Sequence, residues 1–140
     1  METSTIYDCN ILVLNKISNE YSSITVVESN HNIPFTLERV YYTYDVPGGE
    51  NRGGHAHKDL YQLIVAASGS FDVLLDDGIN RKIVTLNRPN YGLLVVPGLW
   101  RELSEFSSGS ICLVMTSLKY DAADYIRDYN EFIEWKSLKK

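Results

Sequence analysis

The sequence has no apolar run near the length of about 20 residues that a membrane-spanning helix needs, so no membrane association is expected. Residues 1–8 (METSTIYD) lack the basic start and apolar core of a signal peptide, and a cytoplasmic protein is expected. Cysteine is scarce. Cys9 and Cys112 stand far apart in unrelated contexts and are expected as free thiols in a reducing compartment. Basic charge is also short, with 13 Lys and Arg against 18 Asp and Glu and a net charge of −5. That balance excludes a general nucleic-acid binder but leaves room for a local basic site that holds a phosphate. There is no linker, repeat or low-complexity tract, so 140 residues read as a single domain over 1–140.

What the chain does contain is short β-segments separated by turns. Ile11–Leu14, Ser22–Glu28, Leu37–Tyr44, Leu60–Ala67, Ser70–Leu75, Arg81–Leu86, Leu93–Val96, Arg101–Phe106 and Ser110–Leu118 are rich in β-branched and aromatic residues. Asp76–Gly78 closes a hairpin between two of them, and the glycine-heavy loop Asp45–Gly54 delivers a strand bearing two histidines. Ten tyrosines against four phenylalanines suit either sugar or base recognition or a half-buried sheet. Only the tail changes period. Ala122, Tyr125, Ile126, Tyr129, Phe132 and Ile133 recur at three and four, which predicts a helix over 121–136. Asp121 and Asp124 suit its N-terminus, and Lys136, Lys139 and Lys140 its C-terminus. The pattern predicts an all-β, antiparallel sandwich or barrel with a β core over about residues 10–118, covered by a C-terminal helix.

The stretch from Gly49 to Gly69 organises the rest. His55 and His57 sit one residue apart, so on a strand both imidazoles point to the same side. Its spacing resembles the first signature of the cupin superfamily, G-x5-H-x-H-x4-E-x6-G, with Gln62 in place of the glutamate. Gly92–Arg101 resembles the second signature, with Arg101 at its histidine position. The resemblance implies a jelly roll. Left to themselves, His55 and His57 are sheet residues with satisfied hydrogen bonds, metal ligands or acid–base groups. In a cupin metal site they would be joined by a glutamate and a third histidine. Arginine cannot ligate a metal, amide oxygen is a poorer ligand than carboxylate, and His31 lies far upstream, so metal-free chemistry is expected.

A more specific resemblance extends from about Tyr21 to Phe132. The segments NIPF at 32–35, RVYY at 39–42, RGGHAHK at 52–58, LDDG at 75–78 and YDAADYIRDY at 120–129 are similar to the nucleotide-sugar 3,4-ketoisomerases. That family implies a small cupin without cofactor, acting on dTDP-4-keto-6-deoxyglucose. It implies a homodimer with exchanged N-terminal strands, and a pyridoxal-phosphate aminotransferase acting next on the product to give a 3-amino-3,6-dideoxyhexose.

The chemistry fits the residues. Moving a ketone from C4 to C3 removes the C3 proton, passes through an enediol and returns a proton to C4, which calls for a histidine base. Arg52 has the planar fork that suits a diphosphate oxygen. By analogy with the cupin 3,5-epimerases His55 is expected as the base, and His57 as relay or enediolate stabiliser. Tyr42 and Tyr44 are expected to point inward and bind sugar or supply a proton, or else to be core aromatics. The resemblance also implies a stereochemical assignment. Gluco-forming members carry Tyr and Arg at the positions of Tyr21 and Arg101, and galacto-forming members Arg and His, so a gluco product at C4 is expected. A guanidinium is too weak an acid to deliver a proton, so the proton is expected to return from the His55/His57 side. The galacto product, a 3,5-epimerase, a non-catalytic sugar-nucleotide binder and a metal-dependent oxygenase remain the competing readings.

Overall fold

A computed structural model describes residues 3–139, which leaves Met1, Glu2 and the predicted helix-end charge Lys140 outside the described residues. Twelve strands are described: β1 (Asn10–Val13), β2 (Asn15–Ser18), β3 (Ser23–Val26), β4 (Arg39–Thr43), β5 (Arg52–His57), β6 (Gln62–Ser68), β7 (Phe71–Asp76), β8 (Arg81–Leu86), β9 (Tyr91–Val95), β10 (Trp100–Ser104), β11 (Ile111–Thr116) and β12 (Tyr125–Ile126). They form two five-stranded sheets, ordered β1-β9-β6-β11-β4 and β12-β5-β10-β7-β8, while β2 and β3 pair only with each other. The paired strands run antiparallel throughout.

The period-2 alternation of the strands sorts their apolar residues into three layers. On β6, Ile64 and Ala66 join Phe71, Val73, Leu75, Val95 and Val114 in the core between the sheets. Leu63 and Val65 on the opposite face pack with Ile33, Phe35 and Met115. On β5 and β10, Ala56 and Trp100 turn outward to meet Ile126 and Phe132. β6 is therefore apolar on both faces, which is why it reads as one continuous run, Leu63–Ala67. The hairpin turn between β7 and β8 is held by Asp77, whose carboxylate accepts from the Ile79 and Asn80 amides at 2.9 and 2.7 Å. Gly78 sits there at φ +92°, a conformation that favours glycine.

The tail differs from the periodicity. The helix, α1, spans only Tyr129–Ser137, with the Asp128 side chain accepting from the Glu131 amide as its N-cap. Residues 121–126 instead make a 3-10 turn, Ala122–Asp124, and then β12. β12 pairs Tyr125 with His57 and Ile126 with Ala56, so the open edge of β5 claims that backbone and overrides the local helical pattern. β2 is the other strand that the composition does not announce.

Phe132 is the anchor of α1, fully buried and 5.9 Å from the ring of Trp100. Phe132→Ala is expected to cost about 3–5 kcal/mol, read as a lower midpoint in chemical denaturation with an unchanged slope.

Candidate active site

Because Ala56 is buried beneath α1, its neighbours His55 and His57 point the other way, between the sheets. Trp100 and Arg101 repeat this on β10, where Arg101 lies opposite His55 in the register. Gly54 permits the close pairing: a Cβ there would come within 2.6 Å of the Trp100 indole nitrogen. The two imidazoles meet through their Nε2 atoms at 3.1 Å. Behind them His57 Nδ1 lies 2.9 Å from Asp124 Oδ2, and Asp124 Oδ1 accepts from the Asp59 amide at 2.7 Å.

His55 lines a cavity of about 570 Å³, together with Arg39, Tyr41, Arg52, Arg101, Tyr125 and Arg127 among others. His57 does not line it and is only 3% exposed, so it stands behind His55. Among the described residues no carboxylate lies within ion-pair distance of any of these four arginines. The cavity is thus a cluster of uncompensated positive charge, the complement of a diphosphate. Tyr125 packs against both histidines, with ring centroids 5.1 and 4.4 Å away, and the Arg127 guanidinium lies over its ring at 4.2 Å. Tyr41 projects from β4 in the opposite sheet, and its hydroxyl accepts from Arg101 Nη2 at 3.1 Å. A larger hollow of about 780 Å³ beside Ser4, Lys58 and Trp135 contains no histidine.

The residues expected from the sequence are only partly brought together. His55, Arg52 and Arg101 line the cavity, with His57 in contact behind. Gln62 is buried on the Ile64 side of β6 but does not line the cavity, and its Oε1 has no hydrogen-bond partner among the described residues. Tyr21 is 87% exposed in the turn between β2 and β3, away from the cavity lining. The expectation for Tyr42 and Tyr44 is corrected: they are 61% and 59% exposed, and the inward positions of β4 are Arg39, Tyr41 and Thr43. Both parities of that strand carry tyrosine, so alternation alone left its phase open. Asp124, Tyr125 and Arg127 join the site only because the tail reaches β5, and Arg39 because it shares the inward face of β4 with Tyr41, neither of which local pattern announces. At the positions where cupins hold a metal stand His55, His57, Gln62 and Arg101. Among the described residues no three His, Cys, Asp or Glu gather to hold an ion. These residues do not fit a metal, and no step below passes through one. Cys9 and Cys112 are free and buried, and burial pushes the Cys112 thiol up to about 11.

Burial, then the charge of Arg101, holds His55 far below the ordinary histidine value, at about 2. Burial also lowers His57 to about 4, against the opposing pull of Asp124. Both imidazoles are therefore neutral at pH 7, and a diphosphate that offset the arginines would raise them toward the range of a working base. The same shifts set the acid stability. Below pH 6.5 the unfolded chain binds protons that the folded sites refuse, so stability falls as pH drops from about 6.5 toward 4. For His57 the slope approaches about 1.4 kcal/mol per pH unit. Denaturant midpoints across that window are expected to fall more steeply in the wild type than in His57→Asn.

A family model described as FdtA, WxcM-like, C-terminal, matches residues 7–137, a span that holds every cavity residue named above. The TDP-4-oxo-6-deoxy-alpha-D-glucose-3,4-oxoisomerase of Aneurinibacillus thermoaerophilus is 44% identical over 122 residues, 87% of this chain and 88% of that protein. The structure of the TDP-quinovose 3,4-ketoisomerase of Campylobacter jejuni is 44% identical, with a TM-score of 0.87 over 92% of this chain and 99% of its own. A sugar 3,4-ketoisomerase from Thermoanaerobacterium thermosaccharolyticum, solved in complex with TDP, is 35% identical, with a TM-score of 0.93 over 96% and 98% of the two chains. The chain belongs to the FdtA family of sugar 3,4-ketoisomerases.

Proposed function

We propose that the protein converts dTDP-4-keto-6-deoxyglucose to dTDP-3-keto-6-deoxyglucose, with gluco configuration at C4. The observation that carries this reading is the arrangement around the cavity: a neutral imidazole, His55, faces a phenol, Tyr41, supplied by the opposite sheet. The four arginines line the same space, and Arg52 at its exposed end suits the diphosphate. His55 takes the C3 proton and His57, in contact behind it, relays charge.

The gluco outcome imposes a geometric condition. In that series H3 and H4 lie on opposite faces of the ring, so one base cannot both remove the first and deliver the second. The expectation that the proton returns from the His55/His57 side is therefore revised. Arg101 donates to the Tyr41 hydroxyl, which leaves the phenolic proton free to point elsewhere, and β4 lies across the sandwich from β5. Tyr41 is the donor to C4 in this reading, with Arg101 holding it. The balance is complete when O4 is protonated as the enediol forms and the O3 proton restores the Tyr41 phenol as C3 becomes the ketone. A class of reaction that aminates the C3 ketone, such as a pyridoxal-phosphate aminotransferase, would consume the product.

Tyr21 enters this reading only through a second copy. β1 pairs with β9 of its own chain, but the β2–β3 hairpin projects with Ile17 and Ile24 62% and 59% exposed and Tyr21 nearby. The outer face of the edge strand β4 also exposes Val40 and Tyr42. Apolar surface of that kind is suited to burial in a homodimer that brings Tyr21 to the partner's cavity.

Three results test the proposal. His55→Asn is expected to lose about 10²–10⁴-fold in turnover while retaining dTDP affinity, and near-normal turnover would pass the base to His57. Tyr41→Phe should still exchange H3 of the 4-keto substrate with solvent deuterium yet form little 3-keto product; loss of exchange as well would remove it as a separate donor. Coupled to an aminotransferase, the product should show large trans-diaxial H3–H4 and H4–H5 couplings. Small couplings at H4 would mean a galacto product, and unchanged C4 ketone with inverted C3 or C5 would mean an epimerase.

A further inference from the structure

Asp124 takes no part in the substrate cavity, yet it has a place in the reaction through the hydrogens of the two histidines. Its Oδ1 is already committed to the Asp59 amide at 2.7 Å, and its Oδ2 faces His57 Nδ1 at 2.9 Å. A carboxylate has only acceptors, so the hydrogen in the second contact belongs to His57 Nδ1. Neutral His57 then has a bare Nε2. That atom meets His55 Nε2 at 3.1 Å, and two bare nitrogens would repel, so the hydrogen between the rings belongs to His55. The only lone pair left on His55 is on Nδ1, which has no protein hydrogen-bond partner among the described residues. One carboxylate, 67 residues away in sequence from the histidine it touches, thereby dictates the tautomer of both rings.

We propose that Asp124 is a positioning residue that sets the polarity of a proton wire, in which the substrate proton enters at His55 Nδ1 and positive charge is held on His57 until the proton returns. The step balances. The C3–H bond breaks and leaves its electron pair in the enediolate, and the proton forms the His55 Nδ1–H bond. The His55 Nε2–H proton passes to His57 Nε2. His55 ends neutral, and the His57 imidazolium lies against the Asp124 carboxylate, away from the cavity. Reversal of the same wire returns that proton to the enediolate oxygen at C4, and the pair is restored. The site is built for this direction. The arginines make the cavity hostile to an imidazolium at His55, whereas among the described residues Asp124 is the one carboxylate within ion-pair distance of either ring. Tyr125, packed on both imidazoles, keeps the rings in the contact geometry. The inference rests on His55 and His57 as the proton carriers of the proposed isomerisation.

Asp124→Asn offers a test with little change of shape. The amide oxygen is still required by the Asp59 N–H, so the NH₂ group turns to His57 Nδ1 and accepts no hydrogen from it. The His57 tautomer then inverts, and its Nε2–H points at His55. The variant is expected to bind dTDP within a few-fold of the wild type and to lose about 10²–10⁴-fold in kcat, as when a triad carboxylate that orients a histidine is amidated. Nitrogen-15 NMR of the dTDP complex is expected to show His57 protonated on Nδ1 and His55 on Nε2 in the wild type, with His57 moved to Nε2 in the variant. Wild-type enzyme with His57 protonated on Nε2 would overturn the inference, whether or not the variant folds. An inverted tautomer with unimpaired kcat would overturn it too, as would equal losses of kcat and dTDP affinity. Wild-type turnover of the 4-keto sugar is measured separately, so failure of the wire is distinguishable from failure of the proposed activity.

Discussion

The histidine pair and the groups beside it, Arg101 and Tyr125, depend on the register of β5 between two neighbours. On one side Arg101 and Trp100 of β10 stand opposite His55 and Ala56, and on the other Tyr125 and Ile126 of β12 stand opposite His57 and Ala56. Ala56 is fully buried beneath α1, where only a small side chain meets Trp100 and Phe132 without displacing them. That packing forbids a slip. A shift by one residue would bring the imidazoles under the helix and Ala56 into the cavity, and would desolvate two polar rings against aromatic surface. The hydrophobic contact on the outer face of the sheet is thus what aims the polar groups on its inner face.

The electrostatics follow from the same placement. Strands from both sheets and the tail bring arginines to one space, and the carboxylate that would neutralise them is set behind the histidines. Burial and positive charge keep the imidazoles neutral, the state in which a histidine can accept a proton. In the proposed reaction binding and basicity are coupled: burial and the arginines together hold His55 a poor base, and a diphosphate would relieve the part that the arginines cause.

The tail has a double role that its composition conceals. Residues 121–126 extend the sheet at β5, cover the histidine rings with Tyr125 and carry Asp124 to His57, while α1 seals the outer face. A cover for the outer face and a carboxylate for the histidine pair thus come from neighbouring segments of the tail, and neither is complete until both dock.

Much was legible in the chain alone. Alternation is a local property, so most of the strand ladder from Ile11 to Leu118 and the shared side of His55 and His57 could be read directly. The spaced motifs around RGGHAHK carried the family. Tertiary structure decided the rest. β4 has tyrosines at both parities, and only its position facing β5 across the core selected Tyr41 over Tyr42 and Tyr44. Asp124 satisfies a helical spacing as well as a strand-edge turn, and the choice came from the unpaired edge of β5, 67 residues earlier. Such partners are invisible to local pattern, because the free energy that selects them is released only when distant segments close on one another.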